Sequence, residues 1–137
     1  MNSLKILLLL VCCTLTAQAQ LAVTVSPVKI TGQRALVPLA LTNHLPQSVE
    51  SARAMCVVLD AQGKMVGQSA KWVIGGAPNR PALPPQAGTT YNFVITSPHL
   101  LETTNLTARI VFSRVVLEHH QFTNANDVVT MTTSLAH

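Results

Sequence analysis

Between Gly75 and Gly88 the chain reads GGAPNRPALPPQAG, with Pro78, Pro81, Pro84 and Pro85 inside eight residues. Proline lacks the N–H that a helix or an interior strand must donate, so neither element can run through this segment. It reads as an extended crossover between two layers, because strand-like runs flank it closely on both sides. Elsewhere Val and Thr are abundant, helix-length amphipathic stretches are missing, and turn residues recur every ten or so positions. That combination predicts an all-β chain.

The expected strands are seven. Leu21 to Ile30 is the first, interrupted at Pro27, where a kink, an edge or a switch of sheet is expected. In Leu36 to Thr42, Val37, Leu39 and Leu41 alternate with less apolar positions, which gives one greasy face. Ala52 to Asp60 is apolar on both faces near its end, as a central strand would be. VVLDAQGKMVGQ then reverses the chain: Asp60 can accept backbone N–H bonds, and Gly63 can take the left-handed conformation of a type I turn with a bulge. Lys64 to Ile74 is the returning strand, and Trp72 within it is expected in the core. Thr89 to Thr96 follows the crossover, with Tyr91, Phe93 and Ile95 on one face. Ser97 and Pro98 open one helical turn. Thr107 to Leu117 is the longest strand, EHHQFTNAN a loop or wide hairpin, and Val128 to Thr133 the last strand. The first and last strands are the expected sheet edges.

Residues 1–19 stand apart. Lys5 precedes an apolar run that is far shorter than the roughly 20 residues of a membrane-crossing helix. Ala17-Gln18-Ala19 then offers the small-residue exit that signal peptidase accepts. Cleavage after Ala19 is expected, with a mature single domain over residues 20–137, secreted or periplasmic and without a membrane span. Lipidation at Cys12 or Cys13 is the alternative. The residue before Cys12 is Val11, whereas lipoprotein signals place a small residue there. Cleavage leaves Cys56 alone, so no internal disulfide can form, and its apolar run predicts a buried thiol.

Composition narrows the function. The net charge of +4 is mild and its Lys and Arg residues are scattered singly, unlike the clustered basic residues of nucleic-acid binders. Charged residues make up 10% of the chain, against about 25% in ordinary globular domains, which leaves sheet edges lightly defended. No Gly-x-Ser-x-Gly turn or comparable nucleophile setting occurs, and Cys56 lies in mid-strand. Glu50, Asp60, Glu102, Glu118 and Asp127 are the only carboxylates, and none forms an evident catalytic pair. No catalytic residues, metal ligands or cofactor are therefore assigned. One metal-binding alternative stays open: a sandwich would bring His44 to the same end as Glu118, His119 and His120, a zinc- or copper-like ligand set. Adjacent histidines on an extended chain point to opposite faces, which opposes a site shared by His119 and His120. Asn105-Leu106-Thr107 matches a glycosylation acceptor, relevant only in a glycosylating export pathway.

The order of LALTN, a polar loop, CVVLDAQGKMVG, a proline–glycine segment and TTYNFVI resembles the FxLYD-type Ig-like domains of exported bacterial proteins. The motif of that family falls on Cys56, Val57, Val58, Leu59 and Asp60, of which Asp60 is identical. Its Pro-Gly-Glu falls on Pro85, Gln86, Ala87 and Gly88, with an insertion and no acid. The resemblance spans about residues 36–95. It implies an Ig-like β-sandwich and a non-catalytic accessory role. The expected function is thus protein recognition or envelope structure, with a protein partner in the cell envelope. The candidate surfaces are an edge strand and the loop end around Asn43–Gln47 and Glu118–Asn126.

Overall fold

The computed structural model describes residues 20–101 and 105–134. The expected leader and its cleavage site lie outside the described residues. Within them the chain is an all-β sandwich of two antiparallel-dominated sheets.

The first sheet is built on β3 (Arg34–Asn43). One flank of β3 carries β6 (Gly88–Thr96) from Arg34↔Thr96 to Thr42↔Gly88. The other flank carries β1 (Leu21–Val25) opposite Leu39 to Asn43 and β2 (Lys29–Thr31) opposite Arg34 to Leu36. The run expected as one strand is therefore two, and the break at Pro27 does not switch sheets. It also explains how Pro38 survives in an interior strand. Its carbonyl accepts from Ser26 N at 3.0 Å, and in an antiparallel ladder the N–H and C=O of one residue point the same way. The missing donor therefore faces the Pro27 break, and the ladder to β6 is intact.

The second sheet has the order β5 (Met65–Ile74), β4 (Val49–Leu59), β7 (Thr107–Leu117), β8 (Gln121–Thr123). β8 was not expected; it occupies part of what reads as loop, between a 3-10 turn at Glu118–His120 and a single helical turn, α1 (Ala125–Val128). The last strand, β9 (Val129–Thr133), joins the first sheet by pairing parallel with β1, from Leu21↔Val129 to Val25↔Thr133. This corrects the edge assignment in part: β1 lies between β3 and β9, whereas β2, the second half of the expected first strand, and β9 both lie at edges. β6, β5 and β8 form the others.

The core is filled by alternation. Val37, Leu39 and Leu41 of β3, Phe93 and Ile95 of β6, and Ala54, Cys56 and Val58 of β4 are all buried. The small residues Ala52 and Ala54 share this core with larger ones such as Phe93 and Leu39, and each fully buried large side chain contributes about 1.5–3 kcal/mol. The Asp60 reversal forms as its chemistry demands. Asp60 Oδ1 accepts from Gln62 N at 2.9 Å and Lys64 N at 2.8 Å, and Gly63 has φ 78°. The crossover returns to the sheets through a bridge between Val49 and Leu83. Among the described residues no helix is long and apolar enough to cross a membrane.

Candidate functional site

The loop after β3 and the segment after β7 do meet. Ser48 N donates to Glu118 Oε1 at 2.7 Å, and Glu118 N donates to Ser48 O at 3.1 Å. The backbone bond from Ser48 holds the Glu118 carboxyl below its usual range, helped by the Ser48 side chain and by His119 nearby. His120 Nδ1 pairs with Glu50 Oε2 at 3.0 Å, and the backbone of His44 donates to Gln20 O. His119 and His120 both have left-handed backbones, at φ 63° and 57°, which carries the chain around this corner. Among the described residues no three His, Cys, Asp or Glu side chains come together, so His44, Glu118, His119 and His120 are not gathered into one ligand set. Glu102 and His137 lie outside the described residues.

The same loop is a latch. Asn43, expected on an exposed recognition loop, is fully buried. Its Nδ2 donates to Gln47 O and Leu83 O, each at 3.0 Å, and its Oδ1 accepts from Leu45 N at 2.9 Å. One amide thereby ties the end of β3 to its own loop and to the crossover. Leu45 is buried as well, so this end is packed structure more than presented surface. Cys56 is fully buried, and desolvation pushes its thiol up to about 11. A thiol so placed is a core side chain, as its run suggests. Asn105 of the acceptor triplet is exposed.

Trp72 corrects the sequence reading. It is half-buried on the outer face of the second sheet, because Val73 is the extra residue of a bulge between Ala52↔Ile74 and Arg53↔Trp72. There it meets the face that Ala52, Ala54, Cys56 and Val58 turn away from. The Arg53 guanidinium lies 5.7 Å from the Trp72 ring centre. Arg53 stands directly opposite Arg114 of β7, and Arg114 lies 5.4 Å from the ring of Phe122 on β8. A row therefore crosses all four strands: Trp72, Arg53, Arg114, Phe122. Phe122 is 67% exposed and Val111, further along β7, 45%. Sequence reasoning missed this row. The alternation in β4 could have placed Arg53 outward; the pairing with Arg114 depends on a second bulge, at Ser113, that no local signal announces.

Two hollows flank the sandwich. A groove of about 480 Å³ lies between the crossover and strands β5 and β6, lined by Leu83, Pro81, Pro84, Thr89 and Tyr91. Arg80 closes over it, with its guanidinium 5.1 Å from the Tyr91 ring and donating to Trp72 O. A second hollow, of about 570 Å³, lies on the first sheet between Lys29, Arg34 and Val94.

No family model and no curated relative matches this chain. Solved structures do. A protein described as ApaA from Bordetella pertussis superposes with a TM-score of 0.56 at 17% identity, covering 77% of this chain and 85% of that one. The structural-genomics target SoR45 has a TM-score of 0.49 at 14% identity, covering 80% of this chain and 81% of the other. The first likeness shows a shared all-β fold and nothing of function.

Proposed function

We propose that this chain is an exported, non-catalytic Ig-like module that works by protein recognition in the cell envelope. The proposal takes the FxLYD-type resemblance around Asp60 as its family reading and cleavage after Ala19 as its route of export. Its recognition surface is the outer face of the second sheet. One observation carries it. Phe122 and Val111 are 67% and 45% exposed on strands whose outer face also presents Trp72 and arginines. Solvent-exposed apolar groups gathered on one face mark interaction sites. Aromatic residues, Met and Arg are the types enriched at protein interfaces. The test is a photo-crosslinking side chain placed at Phe122, and separately at Val94 on the first sheet, in the native exporting host. A discrete adduct from position 122 and none from 94 is expected; equal yields, or no adduct at 122, would overturn the surface. The exported chain should begin at Gln20, and a retained leader or a lipid on Cys12 or Cys13 would overturn the route.

A further inference from the structure

Arg53 and Arg114 occupy directly opposed positions on two neighbouring strands. Opposed residues in an antiparallel pair stand about 5 Å apart, and like charges so placed repel. A sheet that only needed solubility would put a carboxylate at one of the two. Here each guanidinium is instead laid over its own aromatic ring, Trp72 on one side and Phe122 on the other. Cation–π attraction draws each guanidinium to its ring, and among the described residues neither group forms a salt bridge with a carboxylate. Among the described residues the recorded ion pair is that of His120 with Glu50.

The rest of the face repeats the pattern. Arg109, opposite Val57, adds a third guanidinium. The strands β4, β5, β7 and β8 contain a single acid, Glu50, which sits at the bulge that starts β4 and is held by His120. The face is thus apolar and cationic, with its charges uncompensated from within the sheet. Guanidinium forks match carboxylates in two-bond geometry, and the fork itself is planar and pre-organised, so less side-chain freedom is lost per hydrogen bond formed.

Resting on the recognition reading above, we infer that the partner presents an acidic protein segment whose carboxylates engage Arg53 and Arg114, while apolar side chains beside them cover Val111 and Phe122. Charge complementarity selects this occupant. A second copy of this chain would bring arginines against arginines, and the chain carries net positive charge overall.

Trp72 is the only tryptophan in the chain, so the site reports on itself. The experiment titrates the chain from Gln20 with an oligoglutamate peptide and follows tryptophan emission. At about 20 mM salt a saturable change is expected, weakening about tenfold or more by 300 mM as screening shortens the reach of the charges. Arg53→Gln with Arg114→Gln should weaken binding at least about tenfold. Lys29→Gln with Arg34→Gln removes the same charge from the first sheet and, compared at about 150 mM salt, should leave binding within about twofold, since packed sheets lie about 10 Å apart and the Debye length there is about 8 Å. Arg53→Lys with Arg114→Lys keeps the charge and loses the forks, and should lose most of the affinity, which keeps the test decisive if the glutamine pair misfolds. No titration at low salt, equal weakening by the Lys29/Arg34 pair, or full affinity in the lysine pair would overturn the inference. Binding to vesicles with anionic lipid headgroups in place of oligoglutamate would overturn it in favour of a membrane surface. A Phe122 cross-link of unchanged yield in the Arg53→Gln/Arg114→Gln chain would remove the carboxylate pairing and leave the recognition reading standing.

Discussion

Replacing Asn43 with alanine should be among the costliest single changes in this sandwich. The side chain is fully buried and all its bonding capacity in use goes to backbone: two carbonyls, of Gln47 and Leu83, and one amide, of Leu45. Alanine leaves all three without that partner in a place water reaches poorly. A buried backbone group left unmade costs about 1–3 kcal/mol, and water reaching Gln47 O, in the less buried of the three bonds, offsets part of the sum. The expected loss is about 3–5 kcal/mol, a large share of the about 5–15 kcal/mol that holds a domain together. Urea unfolding of the chain from Gln20, read at the Trp72 emission, should show a midpoint lowered by about 2 M with an unchanged slope. Asn43→Asp sharpens the reasoning. The aspartate keeps the acceptor for Leu45 N but turns an oxygen toward two carbonyls. Burial and those carbonyls disfavour its charged form, so its folded pKa lies above the unfolded one. Stability is then retained at acid pH and lost as pH rises through the folded pKa, the reverse of a salt-bridged aspartate. An alanine variant within about 1 kcal/mol of the parent, or an aspartate variant that gains stability from pH 4 to pH 8, would refute the latch.

Three further outcomes follow from local geometry. Gly75 has φ 57° and its added Cβ would stand 2.0 Å from Glu50 O, so Gly75→Ala should cost more than about 2 kcal/mol. Gly63→Ala, with φ 78° and no atom within 4 Å of the added Cβ, should cost about 1 kcal/mol; equal melting temperatures for the two would contradict this. The Cys56 thiol, raised from 9.0 to about 11, stays neutral in the fold while that of the unfolded chain ionises, so stability should fall between about pH 9 and 11. A Cys56→Ser chain lacking that decline isolates the cause, and a parent with flat stability over the range would exclude it. The Glu118 carboxyl should titrate below 4.5 by NMR, with the stability it contributes present above that value and lost as pH falls through the folded one; a value at or above 4.5 would mean the Ser48 bond is not kept in solution.

What could be read from the residues was what short-range chemistry decides. Asp60 and Gly63 make their turn with bonds spanning two to four residues, and Val37, Leu39 and Leu41 face the core because alternate side chains must. The proline crossover needed only the missing donor. The features that escaped are those set by pairing between distant segments. β9 protects β1 through a parallel ladder linking Leu21 to Val129, and nothing near either residue encodes it. Trp72 turns outward because Val73 is an extra residue against β4, so that Val73 and Ile74 both end up buried.

The arginine row is the same lesson at its most consequential. Arg53 and Arg114 are far apart in the sequence, and each read alone is an ordinary solvated cation. Bulges decide their meeting: the extra residue at Ser113 shifts β7 so that Arg114, and not its neighbour, stands opposite Arg53, and the extra residue at Val73 delivers Trp72 beside them. Ser113 Oγ donates to Arg53 O at 3.4 Å, fastening the bulge at the very residue it serves. Bulges weaken a ladder locally, and two that converge on one row concentrate that cost where two like charges already repel. Cation–π attraction offsets part of the repulsion, at about 0.5–1 kcal/mol for each exposed pair. What remains uncompensated within the sheet is charge facing outward, and a carboxylate from another molecule is the group that would neutralise it.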